Sequence, residues 1–118
     1  MSFSGTRTER VEQERLSLVV DREQAILAHL LAQDEARLEE TRARVARAER
    51  NLADAQAALE RTEVALEIVE TRSRTGQVRP VELDQARVAR NRSEFDVERA
   101  SLALEAARME LISAGVYR

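Results

Sequence analysis

The sequence predicts an all-α protein, a long antiparallel coiled-coil helical hairpin with arms of unequal length. Between Gly5 and Gly115 only Gly76 and Pro80 disfavour a helix. Aromatic residues make up 3% of the 118 residues and charged residues 35%, and Ala, Leu, Glu and Arg are abundant. This composition is typical of long helices rather than of a compact globule. Apolar residues that recur every seven positions on both arms favour a coiled coil.

The two helix-breaking residues divide the chain into five segments. We expect an extended N-terminal segment over 1–8, a long helix over 9–75, a tip turn over 76–79, a returning helix over 80–114 and a tail over 115–118. At 1.5 Å per residue the first helix would be about 100 Å long and the second about 53 Å. Half of the long helix is therefore expected to have no partner within its own chain.

The turn is predicted from residues on both sides of it. Gly76 suits the left-handed position that ends a helix, and Arg72 and Arg74 place positive charge in the last turn. Pro80 suits the first position of the next helix, and Glu82 places negative charge in its first turn.

The long helix carries one seam of large residues and one of small residues. Together they form the a and d positions of a heptad repeat: Leu38, Val45, Leu52, Leu59 and Leu66, with Thr41, Ala48, Ala55, Thr62 and Val69. A second stripe of small residues lies on another face: Ala36, Ala43, Ala57 and Val64, interrupted by Arg50.

The returning helix also has two apolar faces. One is a seven-residue series of Val81, Val88, Phe95, Leu102 and Met109. The other consists of Leu83, Val97, Leu104 and Leu111 with Ala86, Ser93, Ala100, Ala107 and Ala114. Because an isolated hairpin requires one seam per helix, two seams favour a larger bundle or α-barrel. The alternative is that Ala promotes helix on an exposed face.

The first half of the long helix carries the clearest indication of a partner. Its large aliphatic residues are Leu16, Leu18, Val19, Val20, Ile26, Leu27, Leu30 and Leu31. This apolar surface is larger than a monomer usually exposes. We expect it to be covered by another chain or by a continuation of the natural protein past Arg118, with Leu16, Val20, Leu27 and Leu31 as the oligomer or partner seam.

Several classes of function are disfavoured by the composition. The net charge is −3, Lys is absent, and the Arg residues alternate with acidic ones, so we expect no nucleic-acid partner. Cys is absent, and no apolar run approaches the length of a membrane span. The single histidine, His29, has no ligand or catalytic partners at a recognised spacing. We therefore expect no catalytic, metal or cofactor site and no enzymatic activity.

The stretch from Arg72 to Gly115 resembles the tip and returning helix of TolC-like outer-membrane efflux proteins. The matching residues occur in the same order as in that family: Gly76, Glu82, Leu83, Ala86, Leu111, Ala114 and Gly115. The opening, SFSGTRTERVEQERL, looks like the end of a barrel strand that continues into the long periplasmic helix of the family.

The resemblance implies a structural role in transport. The chain would form one wall element of a periplasmic helical tunnel through which small molecules or ions leave the cell. It would assemble as a homo-oligomer, a trimer in this family, and would reach the outer membrane only through parts absent from this chain. A periplasmic adaptor protein would dock at the tip, or the tip would form the entrance: Gly76, Gln77, Val78, Arg79, Pro80 and Glu82. The chain departs from the family at Gln85, a position that is often acidic.

Two alternatives remain open. The segment GQVRPVELDQAR is also similar to the hairpin tip of periplasmic adaptor (membrane fusion) proteins, with Leu83, Asp84 and Ala86 in suitable places. Those hairpins have arms of similar length, unlike the arms predicted here. The other alternative is a cytoplasmic coiled-coil scaffold without a role in transport.

Overall fold

The fold is an all-α hairpin, as the sequence predicts. The computed structural model describes residues 2–116, with side chains over 6–115. Helix α1 is Ser2–Arg74 and helix α2 is Pro80–Val116, and this described part of the chain contains no strand. The chain divides into two units, Met1–Arg37 and Leu38–Arg118. The second unit contains the hairpin, in which residues 38–74 of α1 pack against α2.

The structure corrects three predicted boundaries, of which the smallest is the end of the long helix, at Arg74 instead of Thr75. The segment 1–8 was expected to be extended, but α1 is helical from Ser2. One glycine costs only about 1 kcal/mol in a helix, and extending an existing helix adds one hydrogen bond for each residue that is fixed. For the same reason α2 continues through Gly115 to Val116 instead of ending at Ala114. The last two residues of the predicted tail lie outside the described residues.

The turn at residues 75–79 is held by backbone hydrogen bonds. Gly76 has a φ of 73°, the left-handed conformation expected for it. Its N–H donates to the Ser73 carbonyl at 3.1 Å, and the N–H of Gln77 donates to the Arg72 carbonyl at 2.9 Å. These two bonds form a Schellman motif, which satisfies carbonyls that would otherwise lack partners at the end of α1.

The core of the hairpin is the heptad seam that the sequence predicts. The most buried residues on α1 are Leu38, Thr41, Ala48 and Leu66, and those on α2 are Ser93, Leu104 and Ala107. At the centre, Ala48 contacts Leu104 and Ala107, and the partly buried Val45 and Leu52 pack against this cluster. Alternation of large and small residues lets the two helices approach closely, so the interface is narrow and apolar.

The hydroxyl groups of two threonines in this seam are satisfied locally. The hydroxyl of Thr41 donates to the Leu38 carbonyl at 3.0 Å, and that of Thr62 donates to the Leu59 carbonyl at 2.9 Å. Such bonds to the preceding turn allow threonine to occupy a buried helical position.

Two ion pairs between the helices flank the seam. The Arg44 guanidinium lies 2.9 Å from the Glu110 carboxylate, and that of Arg108 lies 3.8 Å from Glu49. The hydrogen bond to Glu110, together with the charge of Glu40, raises the pKa of Arg44 above its ordinary value. Because both pairs are exposed, they contribute little to the stability of the hairpin and mainly specify the register of the two helices.

Candidate functional site

The predicted tip residues form one exposed surface at the turn. Gly76, Gln77 and Pro80 are exposed, whereas Val78 is half-buried. The Arg79 guanidinium lies 3.4 Å from the Glu82 carboxylate, so the two charges of the tip face each other. Its side chain remains 80% exposed and free to contact a partner. The tip therefore offers a small surface of mixed polarity, ordered by the Schellman motif.

The predicted partner seam lies on an exposed face of the first unit. Leu16, Val20, Leu27 and Leu31 are between 49% and 64% exposed. At about 100° per residue, Val19, Ile26 and Leu30 lie beside them, and the seven side chains span an arc of about 140°. We call these seven residues the N-terminal face. His29 is also exposed.

The second apolar series of α2 is exposed over its whole length. Val81, Val88, Phe95, Leu102 and Met109 are between 51% and 71% exposed. We call these five residues the α2 stripe. The second stripe on α1 is likewise exposed in the hairpin unit at Ala43, Ala57 and Val64. Each arm therefore uses one seam inside the hairpin and presents another to its surroundings.

Two shallow surface depressions lie on the hairpin, and the larger, of about 530 Å³, runs beside the seam between the helices at Ala48 and Ala107. The other, of about 350 Å³, surrounds Phe95 and includes Val88, Arg92 and Arg99. Nowhere among the described residues do three or more His, Cys, Asp or Glu side chains form a group that could hold a metal ion. Neither helix, over the residues described, contains a stretch apolar and long enough to cross a membrane.

Two features of these surfaces are not evident from the heptad pattern. Arg90 occupies a seam position on α2, and its buried Nε has no hydrogen-bond partner among the described residues, although Nη1 donates to Glu94 at 3.1 Å. On the N-terminal face, three acidic residues lie among the aliphatic ones: Glu12, Glu23 and Asp34. Their common spacing of 11 residues, instead of seven, is the signal that identifies them.

Comparisons of the chain with known protein families, with curated proteins and with solved structures find no match. Over the described residues the geometry is that of a helical hairpin with three further exposed faces that carry apolar side chains: the N-terminal face, the α2 stripe and the second stripe of α1.

Proposed function

We propose that the chain is a structural wall element of a TolC-like outer-membrane efflux channel, with its tip as the docking point for a periplasmic adaptor protein. In this role the helices do no chemistry. They pack side by side with further helices to enclose a conduit for small molecules or ions. The family part of the proposal comes from the sequence resemblance, and the packing part comes from the geometry of the hairpin.

The observation that supports the packing role is the α2 stripe. A hairpin that functioned alone would place its large apolar side chains in the seam between its arms. Here five apolar residues follow a strict seven-residue spacing on a different face of α2 and remain at least half exposed. A helix within a wall contacts one neighbour on each side, and two apolar faces per helix supply both contacts.

The tip supports the docking role. A hydrogen-bonded turn that is fixed by Gly76 keeps its shape when free, so a partner loses little entropy in ordering it. The side chains available for recognition are those of Gln77, Arg79 and Glu82, which can pair with the acidic, basic or amide groups of another helical tip.

The proposal is tested on the native gene product in its own cell. A cysteine at Leu102, in the α2 stripe, that is labelled with a photoreactive group should cross-link to neighbouring copies or helices within an outer-membrane fraction. A cysteine at Ala89, which is exposed on the same helix outside the stripe, is the matched control. Cross-linking through Leu102→Cys but not through Ala89→Cys is expected. An endogenous 13.3 kDa species confined to the cytosol would contradict the efflux assignment.

The scaffold alternative is favoured by a different observation, the exposed N-terminal face. In a cytoplasmic coiled-coil scaffold, a second copy of the chain would cover this face, and no partner would bind at the tip. Substitution of Arg79 and Gln77 by Ala would then leave function unchanged, whereas it should weaken adaptor binding if the efflux proposal is correct.

A further inference from the structure

We propose that the α2 stripe packs against the α2 stripe of a second copy of this chain, with the two hairpins parallel and in register. This inference rests on the packing part of the proposed function, because it names the partner of the same stripe, and it makes no use of the efflux assignment. Both tips then lie at the same end of the pair, the orientation that neighbouring elements of a channel wall share.

The position of the stripe allows this contact without any change in the hairpin. The seam residues of α2 follow each stripe residue by two and five positions, so they lie on roughly the opposite side of the helix. The stripe therefore faces away from α1, and its five large side chains are between 51% and 71% exposed. Phe95, at its middle, is an aromatic side chain of the kind that anchors the centre of an interface. In a parallel pair it would pack against Phe95 of the second copy.

The area of this surface is sufficient for a specific but weak pair. Covering the stripe and its immediate neighbours would remove roughly 700 Å² per copy from water, or about 1,400 Å² for the pair, which is within the range of specific interfaces. Because the stripe supplies only one large apolar residue per heptad, we expect a Kd of about 10–100 µM.

The residues that border the stripe carry opposite charges on its two sides. Those three and four positions after each stripe residue lie about 50° to either side of it. We call the first set the acidic flank: Asp84, Asn91, Glu98, Glu105 and Ile112. We call the second set the basic flank: Gln85, Arg92, Arg99, Ala106 and Ser113. All ten residues are exposed, so their charges lie on the surface that a second copy would meet.

These charges select the parallel orientation. When two parallel helices face each other through the same stripe, the acidic flank of each borders the basic flank of the other. In an antiparallel pair each flank borders its own copy, so like charges oppose association in any register. With Phe95 at the centre of such a pair, Arg92 would lie level with Arg99 of the second copy, and Asp84 with Glu105 of the second copy.

The parallel register also pairs individual polar groups. Glu98 lies within one residue of the level of Arg99 of the second copy, and Asn91 lies equally close to the level of Arg92 of the second copy. Twofold symmetry makes two ion pairs and two hydrogen bonds. Glu98 and Arg92 form no ion pair with any described residue of their own chain. Arg99 lies 3.8 Å from Asp96, and its five donors allow it to bind both carboxylates.

The remaining flank residues meet without conflict. Glu105 and Ile112 border Ala106 and Ser113 of the second copy, and Glu105 stays in contact with water at the edge of the pair. No residue of one flank therefore faces a like charge on the other.

Disulfide trapping of the purified full chain tests the orientation, because the sequence contains no Cys. In a parallel pair, Val88→Cys and Leu102→Cys each meet their own copy and form disulfide dimers alone. In an antiparallel pair centred on Phe95 the two positions would meet each other, and each would lie about 21 Å along the helix from its own copy, beyond disulfide range. Ala89→Cys, exposed on the same helix outside the stripe, measures chance collisions.

In a glutathione redox buffer, each stripe variant should give at least about tenfold more dimer than Ala89→Cys, since the pair holds the two thiols at a high effective concentration. An equal mixture of the two stripe variants should give few mixed disulfides. Predominant mixed disulfides would show an antiparallel pair. Dimer yields equal to that of Ala89→Cys would show that the stripe does not bind its own copy. Either result would overturn the proposal.

A charge exchange provides an independent measurement. Glu98→Arg should weaken the pair about fivefold or more, because Arg99 of the second copy would then face a like charge. The double variant Glu98→Arg/Arg99→Glu should restore the dissociation constant to within about threefold of the natural chain. Glu60→Arg, an equal change of charge at an exposed position of α1, is the matched control and should leave it unchanged. Sedimentation equilibrium measures all four chains, and circular dichroism verifies that they remain helical. Equal dissociation constants for Glu98→Arg and Glu60→Arg would overturn the proposal.

The failure of this pairing is distinguishable from the failure of the proposed function. The comparison between variants separates the α2 contact from any association through the N-terminal face. If labelled Leu102→Cys cross-links to another helix in the outer-membrane fraction while the purified chain gives no stripe-dependent dimer, the stripe binds a different helix. That result would overturn the pairing and leave the packing role standing, whereas the absence of cross-linking in the cell would contradict the packing role itself.

Discussion

Truncation of Leu104 tests whether the hairpin is held by the seam described above. Leu104 is 6% exposed and lies at the centre of the cluster formed with Ala48 and Ala107. Leu104→Ala removes three buried carbon atoms and leaves a gap between the helices. Buried Leu→Ala changes cost about 2–5 kcal/mol, and the lower part of this range applies because Val45 and Leu52 are partly exposed and can move into the gap. We expect a loss of about 2–3 kcal/mol in the free energy of unfolding.

The matched control lies two residues away on the same helix. Leu102 belongs to the α2 stripe and is 66% exposed. Since the Leu102 side chain has little buried area, Leu102→Ala should lower the free energy of unfolding by at most about 0.5–1 kcal/mol. Urea unfolding followed by circular dichroism at 222 nm, at low micromolar concentration, compares the two variants. Equal destabilisation by both variants, or a loss below about 1 kcal/mol for Leu104→Ala, would refute the assignment of the seam.

Four further substitutions have predicted effects on hairpin stability. Gly76→Ala should destabilise the hairpin by about 1–2 kcal/mol, because Gly76 has a positive φ. Gly115 is helical and has no atom within 4 Å of the new Cβ, so Gly115→Ala should be neutral or stabilising by up to about 1 kcal/mol. Equal effects at both glycines would contradict the turn geometry. Arg90→Leu should stabilise the hairpin by about 1–2 kcal/mol, because it removes a buried nitrogen that has no hydrogen-bond partner and fills the seam with an apolar side chain. A destabilised variant would show that the guanidinium is satisfied. Leu52→Asp should unfold the hairpin, since a charged group would enter the apolar seam; retained helicity and unchanged melting would refute this.

The hairpin could be predicted from the sequence because its signals are local and agree with one another. Gly76 and Pro80 mark the turn, and the heptad residues from Leu38 to Leu66 mark the face that is buried. Each of these features depends on residues close together in the chain. The structure confirms the fold class and this seam.

The ends of the helices were predicted less well. Gly5 and Gly115 were interpreted as helix breakers, yet α1 and α2 continue through both. A single glycine costs less than a long helix gains by extending, so glycine ends a helix only where the chain must also turn, as it does at Gly76.

The partners of the exposed faces could not be read from this sequence in the same way. The α2 stripe is evident from its spacing, but the residues that cover it belong to other helices. Arg90 was missed because one charged residue among the large aliphatic residues Leu83, Val97 and Leu104 does not disturb the heptad count. The acidic residues of the N-terminal face were missed because their period is 11 rather than seven.

The mass of the full chain in solution tests most directly whether its exposed apolar faces bind further helices. Sedimentation equilibrium from about 1 to 300 µM covers the range expected for an interface of this size. We predict a weight-average mass that rises with concentration above the 13.3 kDa of one chain, toward at least twice that value. A mass that stays at 13.3 kDa over the whole range would contradict the conclusion that these faces are packing surfaces.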